Sequence, residues 1–107
     1  MSTLIAERRL DHSGIGNAGS VRVYAPFDEG QSWRCNYEIE WPGHAHKWKA
    51  VGEDSYQALQ LAMQMVPVEI SVTDDFKAGR LGCFGAPLLT NDDLIQWLGL
   101  RPMQVLQ

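Results

Sequence analysis

The residue types able to do chemistry are few in this chain of 107 residues. His44 and His46 are the closest pair. Side chains alternate along an extended segment, so both imidazoles fall on one face, as a metal site would need. Zinc takes three or four ligands. His12, Cys35, Cys83 or a carboxylate would have to complete the set. Cys35 sits at the far end of a predicted hairpin, about 20 Å away at about 3.4 Å per residue, too far to join. His44 and His46 therefore read as turn and strand-end residues, and no metal ligand is predicted.

Covalent catalysis needs a thiolate or hydroxyl beside a base. Cys35 falls on the aromatic face of its predicted strand, which makes it a core thiol. Cys83 lies in Gly82-Cys83-Phe84-Gly85, whose glycines would expose it, yet no histidine is near it in sequence. Neither cysteine belongs to a C-x-x-C pair, which fits free thiols in a reducing compartment. The run Gly14-Ile15-Gly16-Asn17-Ala18-Gly19 imitates the dinucleotide fingerprint G-x-G-x-x-G. That fingerprint must open a helix, whereas Ser20 to Ala25 read as a strand. Asp74-Asp75 and Asp92-Asp93 read as solvated loop and helix-start charge, and Glu69 shares no recognisable spacing with them. No catalytic residue, no cofactor-binding residue and no cofactor are predicted.

Bulk properties narrow the classes further. Thirteen acidic against nine basic residues give a net charge of −4, which argues against a general nucleic-acid binder. No apolar run approaches the roughly 18 residues of a membrane span. The opening MSTLIAERRLDH lacks the apolar core of a signal peptide. The expectation is a cytoplasmic protein with neither nucleic acid nor membrane as partner. Apolar residues at 45% and charged residues at 21% are globular values, and the length suits one domain over 1–107.

The elements that must position these residues follow from periodicity. Residues 3–11 and 21–25 read as strands, joined by a flexible glycine-rich loop over Ser13–Ser20. Trp33, Cys35, Tyr37, Ile39 and Trp41 alternate with Arg34, Asn36, Glu38 and Glu40, the pattern of a half-buried strand. Pro42-Gly43 ends it, and His46–Val51 form the next strand. Setting Trp41 opposite His46 pairs Glu40 with Lys47 and Glu38 with Lys49. It also keeps Ile39 and Trp48 on the aromatic face.

A helix starts at Asp54, an N-cap with Gln57 three residues on. Leu59, Ala62, Met63, Val66 and Ile70 have the spacing of one apolar face, so Leu59, Met63 and Val66 are predicted to pack on Tyr37, Ile39 and Trp48. Pro67 either ends or kinks this helix, and the pattern favours a kinked helix to about Thr73. Cys83 and Phe84 suggest a short strand. Asn91 caps a final helix over Asp92–Leu98, stopped by Gly99. The fold class is α+β: a four-stranded antiparallel meander covered by one long, Pro-kinked helix, plus a short C-terminal helix.

Two segments carry a resemblance. Trp33 to Gly43, WRCNYEIEWPG, and Val51 to Ala62, VGEDSYQALQLA, resemble a family of short, uncharacterised bacterial proteins. In that family a W-x-C-x-Y-x-I strand precedes a G-x-D-S-x-Q-A-L helix start. The likeness spans roughly residues 20–85 and implies a compact α+β domain of unknown function. It brings no activity, cofactor or catalytic residue with it.

Four tryptophans are many for this length. Trp33, Trp41 and Trp48 fall on the predicted core face and Trp97 on the last helix. One helix does not obviously cover them all, which makes the four a candidate interface. The expected function is a non-enzymatic protein–protein interaction domain, of inhibitor or immunity type, with a partner protein or itself as a homodimer. The contact would use the outer edge strand or the exposed part of the tryptophan face. The alternative from another class is a small-molecule or metal-binding domain, or a small enzyme, built on His44 and His46.

Overall fold

The computed structural model describes residues 3–14 and 16–100. In chain order the elements are β1 (Leu4–His12), β2 (Gly16–Tyr24), β3 (Phe27–Asp28), β4 (Trp33–Trp41), β5 (His44–Gly52), α1 (Ser55–Ser71), α2 (Asp74–Lys77), β6 (Leu81–Cys83), β7 (Ala86–Pro87) and α3 (Asn91–Leu98). The predicted α+β class with an antiparallel sheet and a long helix holds. The strand count does not: among the described residues the sheet has seven strands, not four. Its backbone is β1, β2, β4 and β5, consecutive antiparallel neighbours. Short β3 continues along the β4 edge that β2 occupies, and the β6–β7 hairpin extends the sheet beyond β1. Strands of two or three residues are too short to show a period, so alternation does not reveal them.

The glycine-rich run is strand rather than flexible loop from Gly16 onward. Gly19 serves close approach: a Cβ there would sit 2.8 Å from the Cβ of Trp41 and collide with the Glu40 carbonyl. The β4–β5 register also differs from expectation by two residues. Trp41 faces His44, Glu38 faces Lys47, Asn36 faces Lys49 and Tyr37 faces Trp48. Pro42 and Gly43 alone make the turn, with Gly43 at φ 88°, the Pro–Gly arrangement of a type II turn. A slip of two preserves every side chain's face, so the pattern that predicts the faces cannot fix the register.

Helix α1 runs unbroken through Pro67 to Ser71, capped by Asp54, whose carboxylate accepts the Gln57 N–H at 2.8 Å. Its buried positions are Ala58, Ala62, Val66, Pro67 and Ile70, while Leu59 and Met63 lie at the flank. The buried stripe is the small-residue row, which lets the helix lie close on β4 and β5. Gly52 belongs to the same contact, since a Cβ there would meet the Ala58 backbone nitrogen at 2.6 Å. Pro67 has no N–H for the Met63 carbonyl, and Leu100 N–H donates to that carbonyl instead, at 3.1 Å. The segment after α3 is thereby fastened to α1. The cap of α3 is Thr90, one residue before the predicted Asn91, in a reciprocal box with Asp93.

Among the described residues seventeen buried apolar ones form one cluster between the sheet and the helices, with Tyr37, Ile39, Leu10, Ile70, Leu88 and Leu94 among its fully buried members. The other face of the sheet is polar and uncovered. There Arg22 donates to Glu7, Glu38 and Glu40 at 2.8, 3.2 and 3.3 Å. With one face bare, the molecule is only 20 Å thick against 44 and 42 Å in its other dimensions.

Candidate functional site

The two histidines of the sequence reading do lie together, at the end of β4–β5, but each is engaged. His44 stacks on Trp41, with ring centroids 4.2 Å apart and planes 14° from parallel. His46 Nε2 lies 2.9 Å from Glu69 Oε1 on α1. Glu69 enters through the fold, since its sequence spacing to His46 shows nothing. A cleft of about 470 Å³ opens over these groups, lined also by Val72, Thr73, Asp74 and Asp75. Among the described residues no three of the metal-ligating types converge in a way that could hold an ion. Glu69 Oε2 and the Tyr37 hydroxyl are both buried, the phenol beside the Glu69 carboxylate. Burial, reinforced by the nearby Glu69 carboxylate, holds the Tyr37 phenol above its ordinary range.

Asp75 joins three elements beside this cleft. It accepts from the Trp41 indole N–H at 2.7 Å, lies 3.2 Å from His12 Nε2, and accepts from Arg80 at 3.1 Å. The Trp41 bond first, then those to His12 and Arg80, hold its carboxyl below the ordinary aspartate value. This cluster works as a fastener of α2 against β4 and β1.

Both thiols lie in the core. Cys35 and Cys83 are both buried, and desolvation pushes each pKa up to about 11, so the thiolate is scarce at neutral pH. Glycines flank Cys83 without exposing it, because the β6–β7 hairpin turns at Phe84 and Gly85 and points Cys83 inward.

The tryptophans divide. Trp41 is buried and Trp33 partly so; Trp48 is 53% exposed, off the core where the packing of Leu59 and Met63 was expected to cover it. The α1 stripe is turned toward Ala58 and Ala62, which leaves Trp48 beyond the helix. Lys49 Nζ lies 5.8 Å from its ring. Trp97 is half-buried, with its ring 5.8 Å from that of Phe84.

Phe84 is the residue that sequence reasoning missed. It was expected in a strand, yet it occupies the first turn position of the β6–β7 hairpin at φ 53°, followed by Gly85 at φ 80°. Two positive φ values make a type I′ turn, whose first position favours Asn, Asp or Gly. Phe84 is the one non-glycine residue at positive φ among the described residues, and it is 74% exposed. The Arg8 guanidinium lies 5.1 Å from its ring, and Arg8 Nε donates to the Trp97 carbonyl at 3.0 Å. Strands β1 and β6–β7 and helix α3 thus present Arg8, Phe84 and Trp97 as one surface. The only sequence signal for it is the Phe-Gly pair between two short apolar segments.

Comparison with known proteins returns no matching curated protein and no matching solved structure. A family model described as Domain of unknown function (DUF6968) matches residues 6–88, from β1 through β7, and the chain belongs to that family.

Proposed function

We propose that this protein is a non-enzymatic domain that acts by binding a partner protein through the surface of Phe84, Trp97 and Arg8. One observation carries the reading: a bulky aromatic is held at φ 53° on a hairpin tip and left 74% exposed. Left-handed backbone costs a non-glycine residue about 1–2 kcal/mol. The ring's contacts with Trp97 and Arg8 return a comparable amount, so this large apolar ring brings folding no net gain. A residue that gains folding nothing yet stands at an exposed tip supports a role in recognition. The buried, weakly acidic thiols support the non-enzymatic part of the reading.

The test compares affinity capture from the native host by the wild type and by Phe84→Asn, which keeps the turn. A partner retained by the wild type and lost by the variant, at equal thermal stability, supports the proposal. Identical captured sets overturn it.

A second reading places a small ligand in the cleft of His44, His46 and Glu69, favoured by the gathering of two imidazoles and a carboxylate on one cleft. Metal analysis of the purified chain tests its metal-binding form, which requires near-stoichiometric metal.

A further inference from the structure

Arg8 differs from the other arginines that have partners. Arg22, Arg34 and Arg80 each hold a carboxylate. Arg8 is fixed at two points, by its Nε bond to the Trp97 carbonyl and by the Phe84 ring. Its two terminal amino groups have no hydrogen-bond or ion-pair partner among the described residues. A guanidinium held in this way offers a preorganised fork to a carboxylate, with little ordering left to do on binding.

Beside the fork a shallow cleft of about 280 Å³ runs between β1, β2 and α3, floored by Ala6, Val21, Val23, Met63 and Leu98. Glu7 at its rim is already engaged by Arg22. One cation, one apolar slot and two aromatic rings therefore stand side by side.

We infer that the partner is an acidic–apolar peptide segment. A side-chain carboxylate of Asp or Glu seats on Arg8, and a neighbouring aliphatic side chain enters the cleft against Trp97. This rests on the proposed partner-binding surface and names what the partner must present there. The chain's net charge of −4 opposes an acidic partner at long range. That repulsion is screened beyond about 8 Å at physiological salt, whereas the Arg8 contact is direct.

The experiment pans a phage-displayed random peptide library on the full chain. Selected peptides are then labelled and measured by fluorescence anisotropy against the wild type, Arg8→Gln, Arg8→Lys and Phe84→Asn, each variant checked for an unchanged melting curve. The expected peptides carry Asp or Glu next to Leu, Ile, Val or Met. They lose about tenfold in affinity with Arg8→Gln and less with Arg8→Lys. Changing the peptide's acid to its amide reproduces that loss on the wild type and adds nothing on Arg8→Gln. Peptides sensitive to Phe84→Asn but indifferent to Arg8→Gln overturn the carboxylate inference and leave the surface standing. Peptides indifferent to both overturn the surface as well. Absence of enrichment overturns the peptide proposal. So does a wild-type dimer, seen by light scattering, that Phe84→Asn dissociates, because the occupant is then a second copy.

Discussion

Phe84 and Asp75 are the two single residues whose chemistry departs most from what their sequence neighbours suggest. At Phe84 the left-handed backbone costs about 1–2 kcal/mol, and the ring contacts to Trp97 return about 0.5–1.5 kcal/mol. The terms nearly cancel, and asparagine accepts the same φ readily. Phe84→Asn should therefore change the melting temperature by no more than about 4 °C in either direction. A fall of about 8 °C or more would make Phe84 a structural residue. At Asp75 the sign is opposite. Replacing it with alanine strands the Trp41 indole N–H, inside the fold, without its acceptor. The expected loss at pH 7 is about 1–3 kcal/mol. Its folded pKa is depressed, so its contribution is present above the ordinary aspartate pKa and is lost as pH falls through the lower folded value. In urea unfolding the gap between wild type and Asp75→Ala should be full at pH 7 and narrow as the pH falls below about 4. A gap that stays constant to lower pH would show that the carboxylate charge is not what stabilises the network.

The decisive element is α1, because its rotation about its own axis sets which side chains are covered. Ile70 is fully buried and Leu59 lies at the flank. Ile70→Ala should cost about 2–5 kcal/mol, and Leu59→Ala clearly less. Chemical denaturation of the two variants reads the orientation directly, and equal losses would mean the helix face is wrongly assigned. The same rotation leaves Trp48 outside. Periodicity over 55–71 is ambiguous here because Ala58, Ala62 and Val66 form one apolar row and Leu59, Met63 and Val66 another. Bulk favours the second row as the buried one. The structure buries the first, because Gly52 brings the sheet backbone against Ala58 and only a small side chain fits.

For the whole molecule, the exposed edge of β5 bears on self-association. Nothing pairs with its outer side among the described residues, and it carries Lys47 and Lys49. Two copies of β5 paired about a two-fold axis at residues 47–49 would set these lysines against themselves or each other, which disfavours that dimer. Light scattering at micromolar concentration should give a mass near 12.0 kDa, constant on dilution. A concentration-dependent doubling that Lys47→Glu strengthens would show that β5 is a dimer edge after all. No described helix is long and apolar enough to cross a membrane.

Short-range periodicity was enough to read the α+β class, the span and buried face of β4 and the Asp54 start of α1, while it left Pro67 as either an end or a kink. These depend on neighbours within a turn or a strand, where residue type is enough. Tertiary structure alone decided the rest. The β4–β5 register was hidden because a shift of two leaves every side chain on its own face. Gly19 read as part of a flexible loop because the Trp41 backbone that requires it is distant in sequence. Strands β3 and β7 are set by their pairing with β4 and β6, and of β6 only Cys83 was legible in the sequence. The His46–Glu69 pair, the Asp75 fastener and the Arg8–Phe84–Trp97 surface each join residues from separate elements, and no spacing along the chain records that closeness. Trp97 lies beyond the residues that the family model matches, so part of this surface is supplied by α3, outside the matched region.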